Sequence, residues 1–149
     1  MPGNNSYILL ADDDKDDRIL FKEALREVRP GIQLITADHG SALMEFLKNA
    51  MALPGIIFLD INMPYKNGID CLIEIRSNKI FSGIPIVIYS TSSNPKDVDE
   101  TCKAGANLYI EKPNSFTHLT GMLSMLLDFD WSQYPPYAGE DHFFWKMHE

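Results

Sequence analysis

Apolar positions follow two alternating patterns along the first 127 residues. Short unbroken apolar runs occur at Tyr7–Ala11, Ile32–Thr36, Ile56–Leu59, Ile84–Tyr89 and Leu108–Ile110. Their β-branched content and weak polar alternation predict strands covered on both faces. Between them, apolar residues recur with helical period. Leu20, Phe21, Ala24, Leu25 and Val28 form one stripe, and Ala42, Leu43, Phe46 and Leu47 a second. Ile69, Leu72, Ile73 and Arg76 predict a third helix, and Phe116, Leu119, Met122, Leu123, Met125 and Leu126 the last. A weaker stripe through Val98, Thr101 and Cys102 is framed by an Asn94-Pro95 start signal and a Gly105 stop. Pro30-Gly31, Pro54-Gly55 and Gly83 with Pro85 fall between the two pattern types, where chain breakers belong. Strands alternating with helices of this length require right-handed crossovers and a parallel sheet. The expected architecture is α/β: a doubly wound (βα)5 domain with a five-stranded parallel sheet.

Composition fits a folded domain. The chain has 149 residues, 45% hydrophobic and 23% charged, enough for one hydrophobic core and too apolar for disorder. No apolar run approaches the roughly 20 residues that span a bilayer, and Met1–Ser6 lacks the basic head of a secretory signal. Cys71 and Cys102 cannot build a disulfide framework and are expected as reduced, packed thiols in a cytoplasmic protein. The net charge of −8 argues against nucleic acid as a direct partner. That charge is unevenly spread. Residues 1–127 carry 12 basic and 16 acidic side chains, whereas residues 128–149 carry one basic, five acidic and seven of the sixteen aromatic ones.

In a doubly wound sheet, ligands sit at the carboxyl ends of the strands. Here those ends carry Asp12, Asp13 and Asp14; then Asp60; then Ser90 and Thr91; then Lys112. Helix capping accounts for Asp14, and a solvated first helical turn for Asp16 and Asp17. Neither accounts for Asp60, which ends a strand and begins no helix. Carboxylates gathered at one point repel by roughly 4 kcal/mol per pair at about 4 Å and an effective dielectric near 20. One lysine cannot cancel such a cluster, but a divalent cation can. Oxygen-only ligands favour Mg²⁺ over zinc, and the scattered His39, His118, His142 and His148 show no zinc spacing. Carboxylates, a hydroxyl and a lysine together suit phosphoryl transfer, with Asp60 as the nucleophile that becomes an aspartyl phosphate.

The segments Ile8–Asp14, Phe58–Pro64 with Gly68, Ile88–Thr91 and Tyr109–Pro113 resemble, in order and spacing, the receiver domain of two-component response regulators. The resemblance covers residues 7–127 and implies the flavodoxin-like receiver fold. It implies that Asp60 is the phosphoacceptor, that Asp13 binds Mg²⁺ directly, and that Asp12 supports the ion through water. Asp60 itself and the backbone carbonyl of Asn62 would complete the metal site. Lys112 would pair with the acceptor carboxylate and then with a phosphoryl oxygen, across a cis bond to Pro113. Ser90 would move toward the phosphoryl group, and Tyr109 would turn inward in response. Thr91 stands where the family often has a smaller residue, and Asn62 and Ser92 where side chains tune phosphoryl lifetime.

The expected organisation is therefore a receiver domain over 7–127 and an acidic, aromatic-rich tail over 128–149, with no output domain. Phe129, Trp131, Phe143, Phe144 and Trp145 make the tail apolar enough to pack along the domain or join a partner surface. The function expected is that of a stand-alone response regulator, phosphorylated on Asp60 by a sensor histidine kinase and acting by binding another protein. It could also form a homodimer through its fourth helix, fifth strand and fifth helix, or through the tail. Two alternatives remain: a shuttle to a histidine phosphotransfer protein, and an aspartate-nucleophile phosphohydrolase built on Asp12 and Asp14, which would leave Asp60 unexplained.

Overall fold

The alternation of patterns becomes an alternation of elements. In the computed structural model, which describes residues 6–137 and 143–145, strands β1 (Tyr7–Ala11), β2 (Gln33–Ala37), β3 (Ile56–Leu59), β4 (Ile86–Ser90) and β5 (Leu108–Glu111) alternate with five helices. These are α1 (Lys15–Val28), α2 (Gly40–Asn49), α3 (Gly68–Ser77), α4 (Pro95–Ala104) and α5 (Phe116–Leu126). The strands pair in parallel in the order β2-β1-β3-β4-β5, the expected doubly wound (βα)5 sheet.

The sheet divides the core into two layers. Along β1, Ile8 and Leu10 face Phe21, Ala24 and Leu25 of α1 and Leu119, Met122 and Leu123 of α5. Leu9 and Ala11 point the other way, into Leu43 and Leu47 of α2 and Cys71, Leu72 and Ile75 of α3. Because successive strand residues alternate faces and both faces are covered, β1, β3 and β4 are apolar at nearly every position. Cys71 and Cys102 are buried and form no disulfide, as expected of packing residues, and burial pushes the Cys71 thiol up to about 11.

The helix ends follow their local chemistry. Asp14 caps α1 by accepting the Asp17 amide, and Asn94 caps α4 ahead of Pro95. Gly105 closes α4 in the left-handed region at φ 103°, a conformation that L side chains rarely adopt. Three predicted stripes are corrected. In α3 the buried face runs through Gly68, Cys71, Leu72 and Ile75, one register away from the predicted one, leaving Ile73 exposed. Leu20, Phe116 and Met125 are also exposed, because α1 and α5 pack on each other as well as on the sheet and leave part of each apolar stripe outside. Strand β4 begins at Ile86 rather than Ile84, because the Ile84 amide closes a turn onto the Phe81 carbonyl and Pro85 has no amide to donate.

The tail adds structure to the sheet edge. Phe129 and Tyr134 stack with ring centroids 4.6 Å apart and, with Trp131, pack against the α1–α5 layer. Phe143 is buried, and Phe144–Trp145 form β6, a sixth strand parallel to β5 with Phe144 opposite Tyr109 and Trp145 opposite Ile110. The predicted packing of the tail along the domain is thus present for Phe129, Trp131 and Phe143. The chain between Tyr137 and Phe143 lies outside the described residues.

Candidate functional site

The order of strands reverses between β1 and β3, and a crevice opens at their carboxyl ends. The ladder carries one residue past each strand and fixes the position of both carboxylates there. The Asp12 amide donates to the Ala37 carbonyl of β2, and the Asp60 amide donates to the Ala11 carbonyl of β1. Asp12 and Asp60 are therefore held side by side, Asp12 fully buried and Asp60 nearly so. Gly68 at the start of α3 approaches this backbone so closely that a Cβ there would lie 2.1 Å from the Asp60 carbonyl oxygen. Only glycine fits.

The predicted acidic trio converges. Asp12, Asp13 and Asp60 each place a carboxylate oxygen within 4.8 Å of the others, with Asp13 at the exposed mouth. Asn62 lies at the surface, and its amide makes a long 3.4 Å hydrogen bond to Asp60 Oδ1. Lys112, from the end of β5, reaches into the cluster with only 8% of its side chain exposed. Its Nζ lies 2.8 Å from Asp12 Oδ2 and 3.3 Å from Asp60 Oδ2. A third carboxylate, Asp17 on the first turn of α1, takes the same ammonium at 2.8 Å. This contact corrects the expectation that Asp17 only solvates the helix start.

Electrostatics follow from this crowding. Burial, reinforced by the Asp12 charge, pushes the Asp60 carboxyl up to about 6, even though Lys112 pulls it down. Burial works against the charge on Lys112, but its contacts with Asp12 and Asp17 and the attraction of Asp60 win, and its pKa rises. At neutral pH, Asp60 is thus mostly a carboxylate and Lys112 an ammonium.

Ser90 is fully buried at the end of β4, where its Oγ accepts the Ser92 amide and its carbonyl accepts the Lys112 amide at 2.7 Å. Thr91 is exposed, and Ser92 Oγ donates to Asp97 Oδ2 on α4. Tyr109 is buried inside β5, its hydroxyl donating to the Ser92 carbonyl at 2.8 Å and its ring 6.2 Å from that of Phe143. The Lys112–Pro113 bond is trans, as are all described peptide bonds, so the expected cis geometry is not found. Trans is the lower-energy form, by about 0.5–1 kcal/mol for a bond to proline.

The residues present fit a divalent cation. Their donors are all oxygen, which suits a hard ion. Asp12 Oδ2, buried and served only by the Lys112 ammonium among the described hydrogen-bond donors, leaves its negative charge open to a further cation at the trio.

Two features escape sequence patterning: Asp17 in the site, and Arg76 at the opposite, amino-terminal end of β4 and β5. Asp17 stands among five aspartates, and nothing in its spacing separates it from Asp16. Arg76, predicted to extend an apolar stripe, is instead a clamp: its guanidinium donates to the Gly105, Ser82 and Ile84 carbonyls and to Asn107 Oδ1. Asn107 in turn donates to the Tyr134 carbonyl, which joins the tail to the β4–β5 edge.

Comparison with known proteins agrees with this geometry. The family model of the response regulator receiver domain matches residues 8–124. The chain is 33% identical over 127 residues to the response regulator Rcp1 of Synechocystis, covering 82% of this chain and 86% of that protein. It is 36% identical over 107 residues to the chemotaxis protein CheY1 of Helicobacter pylori, covering 71% and 84%. Among solved structures it resembles the phosphorylated cyanobacterial phytochrome response regulator RcpA, with TM-score 0.79 and 30% identity over 87% of this chain and 96% of that one. It also resembles the Mn²⁺-bound form of Rcp1, with TM-score 0.75 and 32% identity over 83% and 93%.

Proposed function

Because the chain belongs to the response regulator receiver family, acting in two-component signalling, we propose that Asp60 accepts a phosphoryl group from a sensor histidine kinase in a Mg²⁺-dependent reaction. The phosphorylated chain then acts by binding another protein. The observation that carries this reading is the convergence of Asp60 with Asp12 and Asp13 within 4.8 Å, and with Lys112 at 3.3 Å. Like Asp12, Asp60 follows a core strand and faces the lysine, and its carboxyl near 6 leaves it ionised and nucleophilic at neutral pH.

An oxygen of the Asp60 carboxylate attacks phosphorus, and the phosphorus–nitrogen bond of the donor phosphohistidine breaks as the imidazole leaves. Asp13, Asp60 and the Asn62 carbonyl would hold Mg²⁺, with Asp12 supporting it through water, and the ion when bound would offset the charge on the phosphoryl oxygens. Lys112 is poised to follow the charge from the Asp60 carboxylate onto a phosphoryl oxygen. Ser90 Oγ accepts the Ser92 amide, and its hydroxyl, which also bonds Tyr109, would turn its proton toward a phosphoryl oxygen. Tyr109 would sense the same event through its bond to the Ser92 carbonyl, one residue beyond Thr91. The phosphohydrolase alternative loses support, because Asp14, its required acid, is exposed and serves as the cap of α1.

One relative supports a donor class. RcpA is a phytochrome response regulator, and we carry that to this chain as a phytochrome-type sensor kinase. No helix among the described residues is long and apolar enough to cross a membrane, which supports a cytoplasmic receiver. Phe144–Trp145 of the tail lie on the β5 edge, so a homodimer or partner contact through α4, β5 and α5 would include them.

Incubation with Mg²⁺ and acetyl phosphate, followed by intact-mass measurement, tests the central step. One added phosphoryl group is expected, lost with EDTA and absent in Asp60→Asn. Stoichiometric labelling that survives Asp60→Asn would overturn the assignment.

A further inference from the structure

The ammonium of Lys112 and a divalent cation need the same carboxylates. Lys112 Nζ sits against Asp12 and Asp60, two of the three groups that would hold the ion. A cation entering the trio repels an ammonium so close by, and the lysine must shift. It cannot shift into solvent at small cost, because its side chain is almost wholly enclosed and a buried charge without a partner is strongly unfavourable.

Asp17 offers the alternative. Its carboxylate already touches Lys112 Nζ at 2.8 Å, yet it lies outside the acidic trio. It is the more solvated of the ammonium's partners, with 29% of its side chain exposed against 0% for Asp12 and 8% for Asp60. A cavity of about 80 Å³, lined by Asp17, Leu20, Tyr89, Lys112 and Phe116, opens on that side. The Lys112 ammonium also lies 5.4 Å from the centroid of the Tyr89 ring, which lines the same cavity. Space, a counter-charge and an aromatic ring are thus all present on the flank away from the metal ligands.

We propose that Asp17 is a positioning residue: it is the second seat of the Lys112 ammonium, holding the lysine when a divalent cation takes the carboxylates of Asp12 and Asp60. This role rests on the Mg²⁺ site proposed above. It makes metal uptake a handover between two cations, one bound at the trio and the other retained by Asp17 within reach of the phosphoryl oxygens.

Calorimetric titration of the unphosphorylated protein with Mg²⁺ tests it without any reaction. Asp17→Asn is expected to weaken Mg²⁺ binding roughly tenfold, a coupling ordinary for residues in one charged network. Asp17→Glu should recover most of that loss. Asp16→Asn, which removes an equal charge one residue away on the exposed side of the turn, should change affinity less than about twofold by the weak coupling of screened surface charges. The decisive comparison is made in a Lys112→Met background, where Asp17→Asn should have almost no effect. A tenfold loss that persists there would mean that Asp17 acts through its own charge, and would overturn the role. So would Asp17→Asn that binds Mg²⁺ as wild type does. Wild type that takes up no Mg²⁺ would refute the metal site itself, and the role of Asp17 with it.

Discussion

Replacing Asp60 by Asn should stabilise the metal-free protein, and the gain should depend on pH. The Asp60 carboxyl lies near 6 in the folded state against an ordinary 3.8, mainly because it is buried, with Asp12 adding to the rise. A carboxyl raised on folding contributes stability below the unfolded value, and that contribution is lost as pH rises through the folded one. The shift of about two units corresponds to about 3 kcal/mol between the two protonation states. In EDTA, then, Asp60→Asn should match wild type in this respect near pH 3.5 and gain steadily from about pH 4 to pH 6. Above pH 7 it should level off about 3 kcal/mol ahead, or roughly 6–12 °C in Tm for a chain of this size. Urea or thermal unfolding of both proteins across that range measures the difference directly, and taking the difference removes the other titrating groups. Saturating Mg²⁺ should close the gap by stabilising wild type alone. An advantage that is absent at pH 8, or that stays constant from pH 4 to pH 8, would refute the account of Asp60 as a carboxylate held ionised against its environment.

Two further substitutions probe the frame around the site. Gly68→Ala places a Cβ 2.1 Å from the Asp60 carbonyl oxygen, so α3 must shift. It should cost about 1–3 kcal/mol by overpacking and slow phosphorylation by acetyl phosphate, and unchanged unfolding and labelling would refute the close fit. Phe143→Ala should loosen the tail and leave the five-stranded sheet standing. The Tyr109 amide, which donates to the Phe143 carbonyl, should exchange with deuterium at least about tenfold faster, as local opening frees it, while the Ile57 amide inside the sheet is unaffected. Equal protection of Tyr109 in both proteins would show that β6 does not depend on this side chain.

The legible part of the molecule was the part set by repetition. Five apolar runs with helical stripes between them specify the doubly wound sheet, and Asp60 was conspicuous because a strand-end aspartate that starts no helix has no structural duty. The errors lie where a single residue contradicts its pattern. Ile73 continues an apolar stripe in sequence, but the buried face of α3 is set by Gly68, which must meet the Asp60 backbone and so fixes the rotation of the helix. Arg76 occupies a stripe position because its long stem is covered while its guanidinium serves carbonyls from two loops. Asp17 is invisible for another reason. Its partner lies 95 residues away, and only the crossing of α1 beside the end of β5 brings them together. The tail was recognisable as apolar, but strand pairing over two residues leaves no periodic trace.

Strand β5 joins these observations. Its end delivers Lys112 to the acidic cluster, and the Lys112 amide donates to the Ser90 carbonyl, so the lysine and the buried hydroxyl are coupled through backbone as well as through any shared ligand. Three residues earlier, the Tyr109 amide donates to Phe143 of the tail, while its hydroxyl donates to Ser92 in the loop that follows Ser90. A displacement of Ser90 therefore meets β5 at both ends of a four-residue span, and the outer edge of that span is covered by the tail. An exposed sheet edge invites pairing with another chain. Here β6 occupies that edge with only two residues, a contact short enough for small shifts in β5 to decide whether it persists. The acidic charge of residues 128–149 gives the segment a solvated alternative to docking. Occupancy of the site and docking of Phe143–Trp145 would thus act on one strand.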